Sequence, residues 1–175
     1  MTTKDLKEFN FTGDYLTMVD KLTQLGFKGF KTVLSMKDTA NRREIPETDG
    51  VYVILRKNTD DPAFLEVGTG GFFKKKDPNV SIKELADNWV ENTPVMYIGK
   101  AGEGRLRKRI REYMRFGRGE NVGHWGGRLI WQLADANDLI VCWFETEEDS
   151  REVEKEMIEK FTEAFGDRPF ANLKD

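Results

Sequence analysis

Apolar residues recur along this chain with two different periods. Over residues 12–25, Tyr15, Leu16, Met18, Val19, Leu22 and Leu25 fall at helical spacing, with Thr12 or Asp14 to cap the helix and Gly26 to stop it. The runs GVYVILRK (50–57), VMYIG (95–99) and DLIVCWFET (138–146) are short, β-branched and aromatic, and predict three strands. RLRKRIREYMRF (105–116) and SREVEKEMIEKFTEAFG (150–166) return to the helical period, the second stopped at Gly166. GGRLIWQLADAN (126–137) predicts a further helix behind a glycine-rich entry. Residues 58–93 read as an insertion between the first two strands, with a strand AFLEV, a flexible loop GTGGFFKKKDP and a short helix SIKELADNWV. Residues 27–49 show no clear period and end in the turn IPETDG, and the tail DRPFANLKD holds a Pro and a Phe that need packing partners.

Two helices are more informative when read by face. In 105–116, Leu106, Ile110, Tyr113 and Met114 make one apolar stripe, and Arg107, Lys108, Arg111 and Arg115 face water. Arg109 falls at the edge of the stripe, one turn before Tyr113. Either its stem covers core while its head reaches solvent, or the head is aimed at something. In 150–166, Val153, Met157, Ile158, Phe161, Ala164 and Phe165 define the packed arc. Glu154 falls inside it, while Glu152, Glu156, Glu159 and Glu163 face away. A carboxylate on a packed face needs a cation, a set of hydrogen bonds or a metal. A buried salt bridge, for example to Arg109, and a functional role both satisfy that need. Glu152 has its own explanation, because Asp149-x-x-Glu152 resembles a capping box.

Composition then sets limits. The chain has 175 residues, 34% charged, and a formal net charge of -3. The balance hides a basic stretch, 100–118, with eight Lys or Arg against two acids, and an acidic one, 145–163, with nine acids against three bases. No apolar run is long enough to span a membrane. MTTKDLKEFN carries charge without an apolar run and does not read as a secretory leader. The single cysteine, Cys142, excludes a disulfide within the chain, and the expected location is cytoplasmic. The single histidine, His124, excludes two-histidine chemistry, and no Cys/His cluster offers a zinc site. Neither GTGGFFKKK nor GKAGEG has the spacing of a phosphate-binding loop.

GVY at 50–52 and YIG at 97–99 resemble the two signature strands of the GIY-YIG nucleases. YIGKAG followed by LRKRIREY is similar to the strand, turn and helix of the nuclease domain in the bacterial excision-repair incision subunit. Tyr97, Lys100, Arg109 and Tyr113 stand at the family's positions. Glu154, with apolar Met157, Ile158 and Phe161 after it, matches the family's metal-binding glutamate, and Asn172 in RPFAN matches its closing asparagine. The resemblance covers residues 50–172 in order. Two departures are the long gap between Tyr52 and Tyr97 and the longer final helix, and GHWGGRLIWQL lies outside the signature.

The resemblance implies an α+β fold with a small, largely antiparallel three-stranded sheet flanked by helices. It divides the chain into an N-terminal helical extension (1–45) and a nuclease domain (46–175) carrying the 58–93 insertion. It implies a metal-dependent DNA endonuclease, RNA not being excluded, with Mg²⁺ or Mn²⁺ on Glu154. Arg109 would grip phosphate, Lys100 would supply a point charge, and Tyr52 or Tyr97 would orient or activate water. Tyr113 would orient its neighbours or touch phosphate, and Asn172 would hold the site together. Arg107, Lys108, Arg111 and Arg115 would track the phosphate backbone, extended by Lys74, Lys75 and Lys76. The alternative is a catalytically inactive nucleic-acid-binding module of the same fold. No membrane partner is expected, and the oligomeric state is not readable.

Overall fold

Six consecutive buried residues, Gly50–Leu55, form the central strand, and their side chains divide between two cores. Tyr52 and Ile54 point into one, Val51, Val53 and Leu55 into the other, as the two-residue strand period requires. The computed structural model describes residues 3–173. In chain order the elements are α1 (Thr3–Leu6), α2 (Tyr15–Leu25), β1 (Lys28–Thr32), α3 (Val33–Met36), β2 (Gly50–Leu55), α4 (Ile82–Asn88), β3 (Val95–Ala101), α5 (Leu106–Phe116), β4 (Ile140–Glu145) and α6 (Ser150–Phe165). The strands form one antiparallel sheet in the order β1-β4-β2-β3. Leu6, Met18, Leu22, Val153, Met157 and Phe161 bring α1, α2 and α6 onto one face. α3, α5 and the C-terminal tail pack on the other through Met36, Ile110, Met114 and Phe170.

Among the described residues the sheet has four strands where the sequence predicted three. β1 pairs with β4 from within 27–49, the stretch that showed no period. It is short and lies at the sheet edge with a register shift between Gly29 and Lys31, so no alternation survives to be read. β1 thus ties the segment read as an N-terminal extension into the central sheet. The caps of α2 are as expected: the Asp14 carboxylate accepts from Thr17 N–H at 2.9 Å, and Gly26 ends the helix at φ +101°.

Two other predicted elements are absent as such. AFLEV forms only an isolated bridge, Phe64 to Leu133. GGRLIWQLADAN is a tight 3-10 turn over Arg128–Gln132 that opens into extended backbone at Leu133. The reason is competition for carbonyls. The Trp131 carbonyl accepts from Thr69 N–H (3.0 Å) and the Gln132 carbonyl from Leu65 N–H (2.8 Å), so neither is free to continue a helix. The Gln132 side chain completes the splice, accepting from Val80 N–H and donating to Leu65 O and Val80 O, each at 2.9 Å. The insertion is therefore knitted to the body of the domain. The Asp149 carboxylate accepts from Arg151 N–H at the start of α6, one residue short of the capping-box pattern.

Candidate active site

β3 is an edge strand, and its register decides what can meet across that edge. Tyr97 pairs with Ile54 but Val95 pairs with Leu55, so Met96 is an extra residue in a bulge. Past the bulge, Tyr97 and Gly99 share the α5 face with Tyr52, and Lys100 faces α6. The tail covers part of the open edge. Ala171 N–H donates to Met96 O, and the Asn172 side chain accepts from Ile98 N–H (2.9 Å) and donates to Ile98 O (2.7 Å). Among the described residues this edge cover ends at Ile98. Beyond it a cleft of about 420 Å³ opens, lined by Tyr97, Lys100, Lys108, Arg109, Glu112 and Glu154 among others. Groups from both faces of the sheet reach one space around the strand's uncovered end.

Within the cleft, Lys100 donates to and pairs with the Glu154 carboxylate. Glu154 is mostly buried, and desolvation raises its pKa, with Lys100 and then Arg151 and Arg109 opposing. Its partner is thus Lys100 rather than Arg109. Arg109 donates to the Gly123 carbonyl at 2.6 Å and pairs with Glu112 at 3.3 Å. Tyr97 is 7% exposed and its pKa is pushed up to about 12, by burial first and by the Glu154 charge second.

Tyr52 and Tyr113 lie deeper, fully inside the core. Burial raises both phenols well above the ordinary tyrosine value. The Tyr113 hydroxyl donates to Gly127 O at 2.7 Å, inside the core and off the lining of the cleft. Tyr52 fits because residue 99 is glycine: a Cβ there would lie 2.4 Å from the Tyr52 ring. The sequence left water activation open between two tyrosines. The structure puts Tyr97 at the cleft and Tyr52 behind it.

The sequence reading missed the loop that holds this assembly. Gly123 O anchors Arg109, Gly127 O anchors Tyr113, and His124 Nε2 shares a 2.8 Å hydrogen bond with the Tyr52 hydroxyl. The His124 ring stacks on Tyr113 at 4.0 Å between centroids and 7° between planes. Burial, then the Arg109 charge, holds its pKa well below the usual histidine value, so the ring is neutral at pH 7. Gly127 takes φ +75° with the Tyr113 hydroxyl 2.5 Å from where a Cβ would be. The one histidine of the chain, set among four glycines at 119–127, was the available signal.

The solvent-facing row on α5 is shorter than predicted. Arg107, still 36% exposed, is bent back along the surface: it donates to Ile45 O (2.6 Å) and Arg43 O (3.0 Å) and pairs with Glu47 (2.9 Å). Arg115 pairs with Glu120 at 2.6 Å. Lys108 and Arg111 remain exposed, with Lys108 on the cleft wall. Among the described residues no group of three or more His, Cys, Asp or Glu gathers around a common point. Glu154 suits only an ion that takes one carboxylate and completes its shell with water and substrate oxygens, as Mg²⁺ does. Among the described residues, no helix is long and apolar enough to cross a membrane. No protein-family model, curated protein or solved structure matches the chain.

Proposed function

We propose that the chain is a metal-dependent endonuclease that hydrolyses DNA phosphodiester bonds at a single-metal site of the GIY-YIG type. One observation carries the reading: Tyr97, Lys100, Arg109 and Glu154, from a strand and two helices, line one cleft at the uncovered end of β3. Phosphodiester hydrolysis needs a positioned water, charge relief on the phosphate and help for the leaving oxygen. Arg109 presents a planar fork to phosphate, already oriented by Gly123 O. Lys100, now paired with Glu154, would supply a point charge to a phosphate that takes the carboxylate's place at its ammonium. Mg²⁺ or Mn²⁺ on Glu154 would supply Lewis acidity toward the phosphate.

Tyr97 serves as a neutral hydroxyl that orients water. Bringing a phenol from about 12 to 7 would take about 7 kcal/mol of stabilisation of the phenolate beyond the Arg109 charge, which already opposes the shift. Tyr52, Tyr113 and His124 hold Tyr97 and Arg109 in place, and Asn172 fixes the end of the edge cover. Lys108 and Arg111 contact backbone phosphates.

The test is nicking of supercoiled plasmid with Mg²⁺ or Mn²⁺, with EDTA as the metal-free arm. Wild type cuts only with metal, and Glu154→Gln and Arg109→Ala lose at least about a hundredfold of the rate. Equal cutting by wild type and Glu154→Gln removes the proposal. The Lys100–Glu154 pair favours a second reading, a binding module whose carboxylate is permanently neutralised. Metal-independent DNA binding without cutting would select it, and parallel RNA substrates decide between nucleic acids.

A further inference from the structure

The tip of the insertion, residues 72–76, has an unusual build. Lys74 and Lys75 both adopt left-handed backbone, φ 51° and 63°, which long side chains avoid. The surrounding chain holds them there. Lys74 N–H donates to Asn121 Oδ1 at 3.2 Å, and Lys75 and Lys76 N–H donate back to Phe72 O and Phe73 O. Gly71 lies so close to the Glu120 carbonyl that a Cβ would come within 2.0 Å. The Phe73 ring packs on Gly123, the residue whose carbonyl orients Arg109. The loop that read as flexible is an anchored turn resting on the loop that positions the site.

This turn displays three exposed lysines, none with an acidic partner among the described residues, beside Phe72, which is 52% exposed. The two features together narrow the occupant. Clustered ammonium groups suit a polyanion. A large exposed aromatic suits a base whose face is free, which a duplex interior does not offer. An acidic peptide would satisfy the lysines and leave Phe72 without a use.

We propose that the 72–76 tip binds an unpaired stretch of nucleic acid beside the cleft, so that the preferred substrate is a duplex continued by a single strand. The inference deepens the nuclease reading and rests on it for the position of the scissile bond, but binding can be measured without cutting.

The experiment is fluorescence anisotropy in EDTA, comparing a labelled blunt duplex with the same duplex carrying a single-stranded thymidine extension of about ten nucleotides. Wild type binds the extended probe about tenfold tighter. Phe72→Ala and Lys74→Asn/Lys75→Asn each remove most of that difference. Asparagine removes the charge and tolerates left-handed backbone, so the turn is kept. Equal affinities in wild type overturn the proposal, and so does a preference that both variants retain. Displacement of the extended probe by a polyglutamate peptide as readily as by oligothymidine overturns it too. Failure of the nuclease reading appears separately, as Glu154→Gln nicking plasmid like wild type.

Discussion

The Tyr52 hydroxyl and His124 Nε2 lie 2.8 Å apart with both side chains out of contact with water. The pair links the central strand to the 119–127 loop, and that loop also holds Arg109 and Tyr113. A buried imidazole in this position makes the fold sensitive to mild acid. Its folded pKa is depressed below the free value of 6.5, so the unfolded chain binds the proton first. Stability is therefore fully present above pH 6.5 and falls as pH drops below it. His124→Gln keeps a polar group near Tyr52 but loses the ring stack, for a cost of about 1–3 kcal/mol at neutral pH. Urea melts across this range should show a downward step in wild type that the variant lacks. A step of equal size in the variant would place the effect elsewhere.

Glu154 is shifted in the opposite sense. Its pKa is raised, by desolvation above all, so the folded chain holds the proton more tightly than the unfolded one. Ionising it costs stability, with no cost below about 4.5 and a growing one as pH rises through the folded value. Glu154→Gln should be inactive yet at least as stable as wild type at pH 7, and the advantage should vanish by pH 4. This inverts the usual result of breaking a partly buried ion pair, because the remaining Lys100 is exposed enough to rehydrate. A clear loss of stability at pH 7 would show that the ion pair outweighs desolvation.

Much of the site was legible because it lies on elements with a strong period. The helical phase separated Glu154 from four other glutamates and Arg109 from its basic neighbours, and both line the cleft. Arg107 shows the limit of the method. Helical phase places the base of a side chain, but the guanidinium reaches far enough to turn back onto 43–47, and only the tertiary path of that segment reveals it. β1, the 3-10 turn and the His124 loop were hidden for a related reason. Their conformations are set by partners distant in sequence, Trp143, Leu65 and Tyr52, and leave no local periodicity.

Asn172 makes a prediction that separates shape from charge. Its amide satisfies both polar groups of Ile98 on an otherwise open strand edge. Asn172→Ala should lose about 1–3 kcal/mol, since those groups are left to water or to nothing. Asn172→Asp is nearly isosteric but cannot donate to Ile98 O, and it puts a negative charge against that carbonyl. It should be no more stable than alanine in a urea melt and should lower nicking in parallel. Wild-type behaviour of the aspartate would mean that the edge cover rests on Phe170 and Ala171 alone.

The basic face of α5 yields a test in which two classes of arginine and lysine part. Each phosphate contact contributes about 0.9 to the slope of log affinity against log salt for duplex DNA. Lys108 and Arg111 are exposed, so Lys108→Ala and Arg111→Ala should each weaken duplex binding and reduce that slope by about one. Arg107 spends its guanidinium on Ile45, Arg43 and Glu47. Arg107→Ala should therefore leave the salt slope unchanged. It should instead lower the melting temperature and expose the 43–47 segment to proteolysis, because two backbone carbonyls lose their donor. The check is a salt titration of duplex binding for all three variants beside a thermal melt. If Arg107→Ala lowered the slope as much as Lys108→Ala, the arginine would have to leave its internal partners on binding, and the 43–47 segment would belong to the DNA-binding face.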